Sequence, residues 1–242
     1  MSKRNLSRHA RGVLCIIVAA FGFSLMTVFV KLSGDDLPPF QKAFFRNIVA
    51  LVLVGGMMWR QGVSPKPEKG NWGCILGRAF FGTAGLLCNF YAIGHLVLAD
   101  ANMLNKLSPF FAIVFSIFLL REKPSAVQIG GVLVALAGSM LIIKPGFDTG
   151  NLFAAFMGLC GGAGAGLAYT FVRKLGMRGE NGMRIIFYFS LFSCAVTLPF
   201  VLFSSTRITA HQLLMLIIAG VFGCIGQFGI TRAYVYAPAR EI

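Results

Sequence analysis

Few residues in this sequence can do acid–base or metal chemistry. The 242 residues carry 8 carboxylate side chains and 3 histidines against 22 lysines and arginines. His9, His95 and His211 fall at the ends of apolar stretches or between them, and there is no His-Glu-x-x-His. No Asp or Glu lies in the interior of an apolar stretch; Asp100 stands near the start of one. Catalysis inside a membrane would need paired carboxylates, a histidine-rich ligand set or an activated Ser–His pair. An intramembrane enzyme is therefore the less favoured alternative, and no cofactor or metal is expected. What the apolar stretches do contain is four basic residues, Arg46, Arg78, Lys106 and Arg232. Charge at membrane depth is costly and marks a functional candidate. Arg46, Arg78 and Arg232 lie near the ends of their stretches, where a long stem can carry the charge to an interface. Lys106 sits about 12 Å into its stretch at the helical rise. It is flanked by Asn102, Asn105, Ser108 and Pro109.

Such a patch suits solute recognition rather than bond making. A carrier needs a polar lining at the midplane, small residues where helices slide, and helix breaks that free backbone groups. The substrate-binding candidates are Lys106, Asn105, Asn102, Tyr91, Asn89, Tyr169, Gln227 and Arg232, with Ser24 and Thr27 as further polar positions. For each, a helix–helix hydrogen bond is the plain alternative. Pro109 removes one backbone hydrogen bond and is expected to kink its helix, for function or for packing alone. Gly158, Gly162 and Gly166, four apart, allow close helix approach. They do not form a dinucleotide loop, because no strand precedes them and Tyr169 stands where the last glycine is required. Basic residues without acidic partners point to a substrate with an anionic group such as a carboxylate.

The elements that must position these residues are membrane helices. The chain is 57% hydrophobic and 12% charged, about half the charge of a soluble domain. Eight apolar runs approach the roughly 20 residues of a spanning helix: Val13 to Val30, Ala43 to Trp59, Trp72 to Gly94, Leu98 to Leu119, Ser125 to Ile143, Asn151 to Val172, Met183 to Phe203 and Gln212 to Tyr236. The first is read as a retained helix, since no cleavage site precedes Lys31. Period-2 alternation is absent, which argues against an outer-membrane barrel. The six cysteines all lie in apolar runs without a Cys-x-x-Cys pair and read as small hydrophobes.

With the N-terminus inside, the inner loops and ends hold 14 basic residues: Lys3, Arg4, Arg8, Arg11, Arg60, Lys66, Lys69, Arg121, Lys123, Arg173, Lys174, Arg178, Arg184 and Arg240. The outer ones hold 4: Lys31, Lys42, Lys144 and Arg207. This bias supports eight spans and a cytoplasmic N-terminus in the plasma membrane. It also accounts for most of the net charge of +14, so no nucleic-acid partner is needed. The expected partners are bilayer lipid and a small-molecule substrate, and a homodimer is compatible with this reading.

The sequence also carries a weak duplication. At a shift of 141, Phe81-Gly82-x-x-Gly85 falls on Phe222-Gly223-x-x-Gly226, and Ala92 on Ala233; at 142, Phe29-Val30-Lys31 falls on Phe171-Val172-Arg173. The shift moves the first span onto the sixth. Five spans is an odd number, so the copies are inverted across the membrane, as in many secondary transporters. The expected fold is an all-α integral membrane bundle of two inverted five-helix repeats, residues 1–145 and an incomplete 146–242, with eight helices of ten. Completing the second copy takes about 45 residues more. A truncated, transport-incompetent fragment is the alternative this leaves open.

Several local patterns occur together: Phe90-Tyr91-Ala92-Ile93, Leu98-Ala99-Asp100-Ala101, Leu107-Ser108-Pro109-Phe110-Phe111, Leu119-Leu120-Arg121-Glu122, Gly130-Gly131 with Gly138, Lys144-Pro145, and Thr231-Arg232-Ala233-Tyr234 with Ala237-Pro238-Ala239. As a set they resemble the EamA-type drug/metabolite transporter superfamily over nearly the whole chain. The resemblance implies ten helices in two inverted repeats, cytoplasmic termini, and carriage of small organic solutes through a central cavity. The stretch matching the last two helices of that family is absent here.

Overall fold

The computed structural model describes residues 8–121, 149–204 and 206–236, with scattered helical positions between 126 and 138. Eight helices follow one another among the described residues: α1 (Arg8–Leu32), α2 (Pro39–Arg60), α3 (Trp72–His95), α4 (Leu98–Asn105), α5 (Ser108–Leu119), α6 (Thr149–Met177), α7 (Gly182–Leu202) and α8 (Ala210–Tyr236). Counting α4 and α5 as one broken span, seven are long and apolar enough to cross a membrane. The expected span from Ser125 to Ile143 lies outside the described residues.

The helix starts follow from local chemistry. α2 begins at Pro39, whose fixed φ suits a first helical position and whose missing N–H would have no partner there. The Asn181 side chain accepts from Met183 N at 2.9 Å and caps α7. Thr209 and Gln212 form a reciprocal pair before α8: Thr209 N donates to Gln212 Oε1 at 2.9 Å, and Gln212 N to Thr209 Oγ1 at 3.3 Å. This capping box satisfies two donors at once.

The outward faces are apolar. Leu14, Ile17 and Phe21 on α1, Val52 on α2, and Leu214 and Ile217 on α8 are all exposed. A row of this kind is stable against lipid and not against water. Trp59 and Trp72, both exposed, stand at the neighbouring ends of α2 and α3, where amphipathic rings anchor a membrane interface.

Inside the bundle α1 packs on α8, α3 on α6, and α2 on α7. The first two contacts are glycine contacts. A Cβ at Gly22 would lie 2.8 Å from Gly226 N, and a Cβ at Gly164 would lie 2.9 Å from Gly85 Cα. Backbones can meet this closely only where no side chain intervenes, which maximises van der Waals contact where lipid offers no hydrophobic drive between helices. The 158–162–166 stripe of α6 receives a different neighbour. Cβ atoms at Gly162 and Gly166 would each lie 2.6 Å from a carbonyl, that of Leu104 and that of Ser108. The broken span α4–α5 therefore lies directly on α6.

One polar network joins two loops at the α2–α3 and α6–α7 ends of the bundle. Buried Glu180 accepts from Asn71 Nδ2 at 2.9 Å, Glu68 N at 3.0 Å, Arg184 Nη1 at 2.8 Å and Asn181 N at 3.1 Å. Arg184 Nε donates onward to Ser64 O at 2.7 Å. Burial pushes the Glu180 carboxyl up, but the Asn71, Arg184 and backbone donors outweigh it and hold the group below its ordinary value.

Candidate functional site

The site is built around the break between α4 and α5. Pro109 has no N–H to offer the Asn105 carbonyl four residues back. Phe110 N turns to Leu107 O at 3.0 Å, a tighter turn than the α-helix. The helix therefore stops at Asn105 and restarts at Ser108, with Lys106 and Leu107 between. The expected kink at Pro109 is thus a break three residues before it.

A cavity of about 210 Å³ opens against this break. α4–α5 contribute Asn102, Asn105, Lys106, Ser108 and Pro109; α1 contributes Ser24 and Thr27. Asn89 from α3, Tyr169 from α6 and Gln227 from α8 add to the polar part of the wall. Six of the eight residues singled out from the sequence are thereby brought together, with Ser24 and Thr27 beside them. Asn89 is buried, and its Oδ1 has no partner among the described residues.

The other two are elsewhere. Tyr91 stacks on His95 at 4.1 Å between centroids and meets Phe153 edge-on at 5.6 Å. It points away from the cavity, because a residue two positions from Asn89 falls on the far side of a helix. Arg232 is exposed on α8. Five residues from Gln227, it is rotated about 140° from it at 3.6 residues per turn.

Arg46 and Arg78, for which both a functional role and snorkelling were open, do not reach an interface. Both line the cavity, at 0% and 2% exposure. Their guanidiniums both approach one ring, Phe189, at 6.0 Å and 4.3 Å from its centroid. Arg46 donates to Asn47 Oδ1 at 2.6 Å and Gly223 O at 3.3 Å; Arg78 donates to Gln227 Oε1 at 2.9 Å. All these acceptors are neutral. The Nε atoms of both have no partner among the described residues. Ion pairs among the described residues join Lys31 to Asp35 and Arg184 to Glu68 and Glu180, and none reaches Arg46 or Arg78.

Room for the two guanidiniums comes from glycine. A Cβ at Gly223 would lie 2.6 Å from Arg46 Nε, and one at Gly82 would collide with Arg78 Nη1. The Gly82 signal was readable in the sequence, one helical turn after Arg78. The Gly223 signal, on another helix, was not. Gln227→Leu should strand a buried guanidinium donor and lower stability by about 1–3 kcal/mol, whereas Arg232→Ala should change it by less than about 0.5 kcal/mol. Thermal unfolding of the two variants in detergent separates these outcomes.

A helical bundle with spans long enough to cross a membrane and a polar cavity at a broken helix is an arrangement that membrane transporters use. Residues 10–144 match the EamA-like transporter family, and the chain belongs to that family, within the drug/metabolite transporter superfamily. It is 32% identical over 233 residues to a pseudopaline exporter of Pseudomonas aeruginosa, covering 96% of this chain and 81% of that protein. It is 27% identical to human solute carrier family 35 member G1, covering 96% of this chain and 67% of that one. A riboflavin transporter of Brucella anthropi is 25% identical over 232 residues, covering 93% of this chain and 81% of its own length. A solved crystal structure with 17% identity superposes at a TM-score of 0.70 over 96% of this chain, a likeness of fold.

Proposed function

We propose that this chain is a secondary transporter of the plasma membrane, N-terminus cytoplasmic, that moves small organic metabolites by alternating access around the cavity at the α4–α5 break. The observation that carries this reading is the convergence of Asn102, Asn105 and Lys106 with Asn89, Tyr169 and Gln227 on one cavity. A helix break at such a place frees backbone groups where irregular backbone is tolerated only beside a cavity. The names of the relatives, a pseudopaline exporter and a riboflavin transporter, support a small organic cargo. Lys106 is assigned to an anionic group of that cargo.

The packing supports two inverted repeats, 1–145 and 146–242. A two-fold axis exchanging α1 with α6 and α3 with α8 turns the α1–α8 contact into the α6–α3 contact, and both are present. The same exchange carries the Gly22–Gly226 contact onto Gly164–Gly85, at the shifts of 142 and 141 seen in the sequence. It also carries Gly82, beside Arg78, onto Gly223, beside Arg46.

The test is uptake of labelled organic solutes into proteoliposomes. Saturable uptake accelerated by unlabelled solute on the opposite side is expected. Lys106→Gln should lower uptake of an anionic solute about tenfold, the value of one partly exposed charge contact. Linear, non-competing flux across every solute class would overturn the carrier reading.

A further inference from the structure

We propose that the cavity is a two-cation clamp for a solute carrying two anionic groups, one held by Arg46 and the other by Arg78. The inference rests on the carrier reading and deepens it. Its basis is charge balance in a place where charge is expensive. Two guanidiniums at 0% and 2% exposure line one cavity, and their hydrogen-bond partners, Asn47, Gly223 and Gln227, are all neutral. A buried charge held only by neutral acceptors keeps most of its desolvation penalty. A monoanion would compensate one of the two; a dianion compensates both.

The geometry of the pair suits this use. Both guanidiniums approach the Phe189 ring, Arg46 Cζ at 6.0 Å and Arg78 Cζ at 4.3 Å from its centroid. An aromatic ring stabilises such cations without neutralising them, so each keeps its capacity to bind a carboxylate. The Nε of each guanidinium is buried without a partner among the described residues, so neither cation has its donors fully satisfied by the protein. Arg46 is seated against Gly223 and Arg78 against Gly82. Lys106, also on the cavity wall, adds a third positive charge that attracts the solute. Asn89 Oδ1, buried and without a partner among the described residues, is an acceptor for a hydroxyl or amino group between the two anionic ends.

The experiment is ligand-dependent thermal unfolding of the purified full chain in detergent at neutral pH. The probes are three series matched in chain length from four to eight carbons: α,ω-dicarboxylates, monocarboxylates and diols. A ligand that binds only the folded state raises Tm according to its Kd. At least one dicarboxylate is expected to bind at least tenfold tighter than the monocarboxylate of equal length, with the diols inert. Arg46→Gln and Arg78→Gln should each weaken that dicarboxylate on the order of 100-fold and abolish its advantage over the monocarboxylate. Should either variant fail to fold, the selectivity of the unaltered protein decides by itself. Equal binding of mono- and dicarboxylates, or no dicarboxylate binding, overturns the proposal. If proteoliposomes show saturable, trans-accelerated flux of neutral or cationic solutes with no preference for dianions, the clamp fails while the carrier reading stands.

Discussion

Gly164→Ala is expected to destabilise the protein by about 1–3 kcal/mol, although alanine is the better helix former. The added Cβ would lie 2.9 Å from Gly85 Cα and 3.1 Å from Phe81 O. Both are backbone atoms of α3, so no rotamer change relieves the contact and the helices must separate. The control is Gly56→Ala on α2, where a Cβ meets nothing within 4 Å. There the substitution should raise stability by about 0.5–1 kcal/mol through helix propensity alone. Opposite signs for the same chemical change, read by thermal unfolding in detergent, would show that α3 and α6 are held by backbone contact. Because the cavity draws its wall from both helices, Gly164→Ala should also weaken solute binding.

Glu180→Ala is the second large effect, about 3 kcal/mol of destabilisation. The substitution removes the acceptor of four donors, strands the buried Asn71 amide and leaves the half-buried Arg184 only its longer contact to exposed Glu68. The pH dependence has a definite sign. The folded-state carboxyl is held below the ordinary value of 4.5. Its contribution is therefore complete above about pH 4.5 and is lost as pH falls through the lower folded value. Glu180→Gln should lose that part of the acid dependence of Tm, leaving a flatter profile. Since this network ties the 61–71 loop to the 178–182 turn, a carrier that must open this side has to break it. Glu180→Ala is accordingly expected to shift the protein toward the conformation open on that side.

Much of this fold was legible because its determinants are local. Span lengths and the proline break depend on near neighbours in sequence. The polar cluster at Asn102, Asn105 and Lys106 was legible for the same reason: a single helix break gathers it. The face of each helix was harder to read. Tyr91, two residues from Asn89, and Arg232, five from Gln227, face other directions than their cavity-lining neighbours, and counting residue type without azimuth placed all four together. Depth misled in the same way for Arg46 and Arg78. Distance from the helix end says how far a stem must reach, but not whether it faces lipid or a glycine. For Arg78 the glycine stands one turn away on its own helix. For Arg46 it stands on α8, a contact that exists only once the bundle is assembled.

The most direct test of the alternating-access account is a single cysteine in place of Ser24, on the α1 wall of the cavity, in a variant lacking the six native cysteines. The full chain is placed in sealed vesicles, and a membrane-impermeant thiol reagent is supplied on one side or the other. The account predicts modification from either side, slowed by a transported solute. Modification from one side only, whatever solute is present, would contradict it.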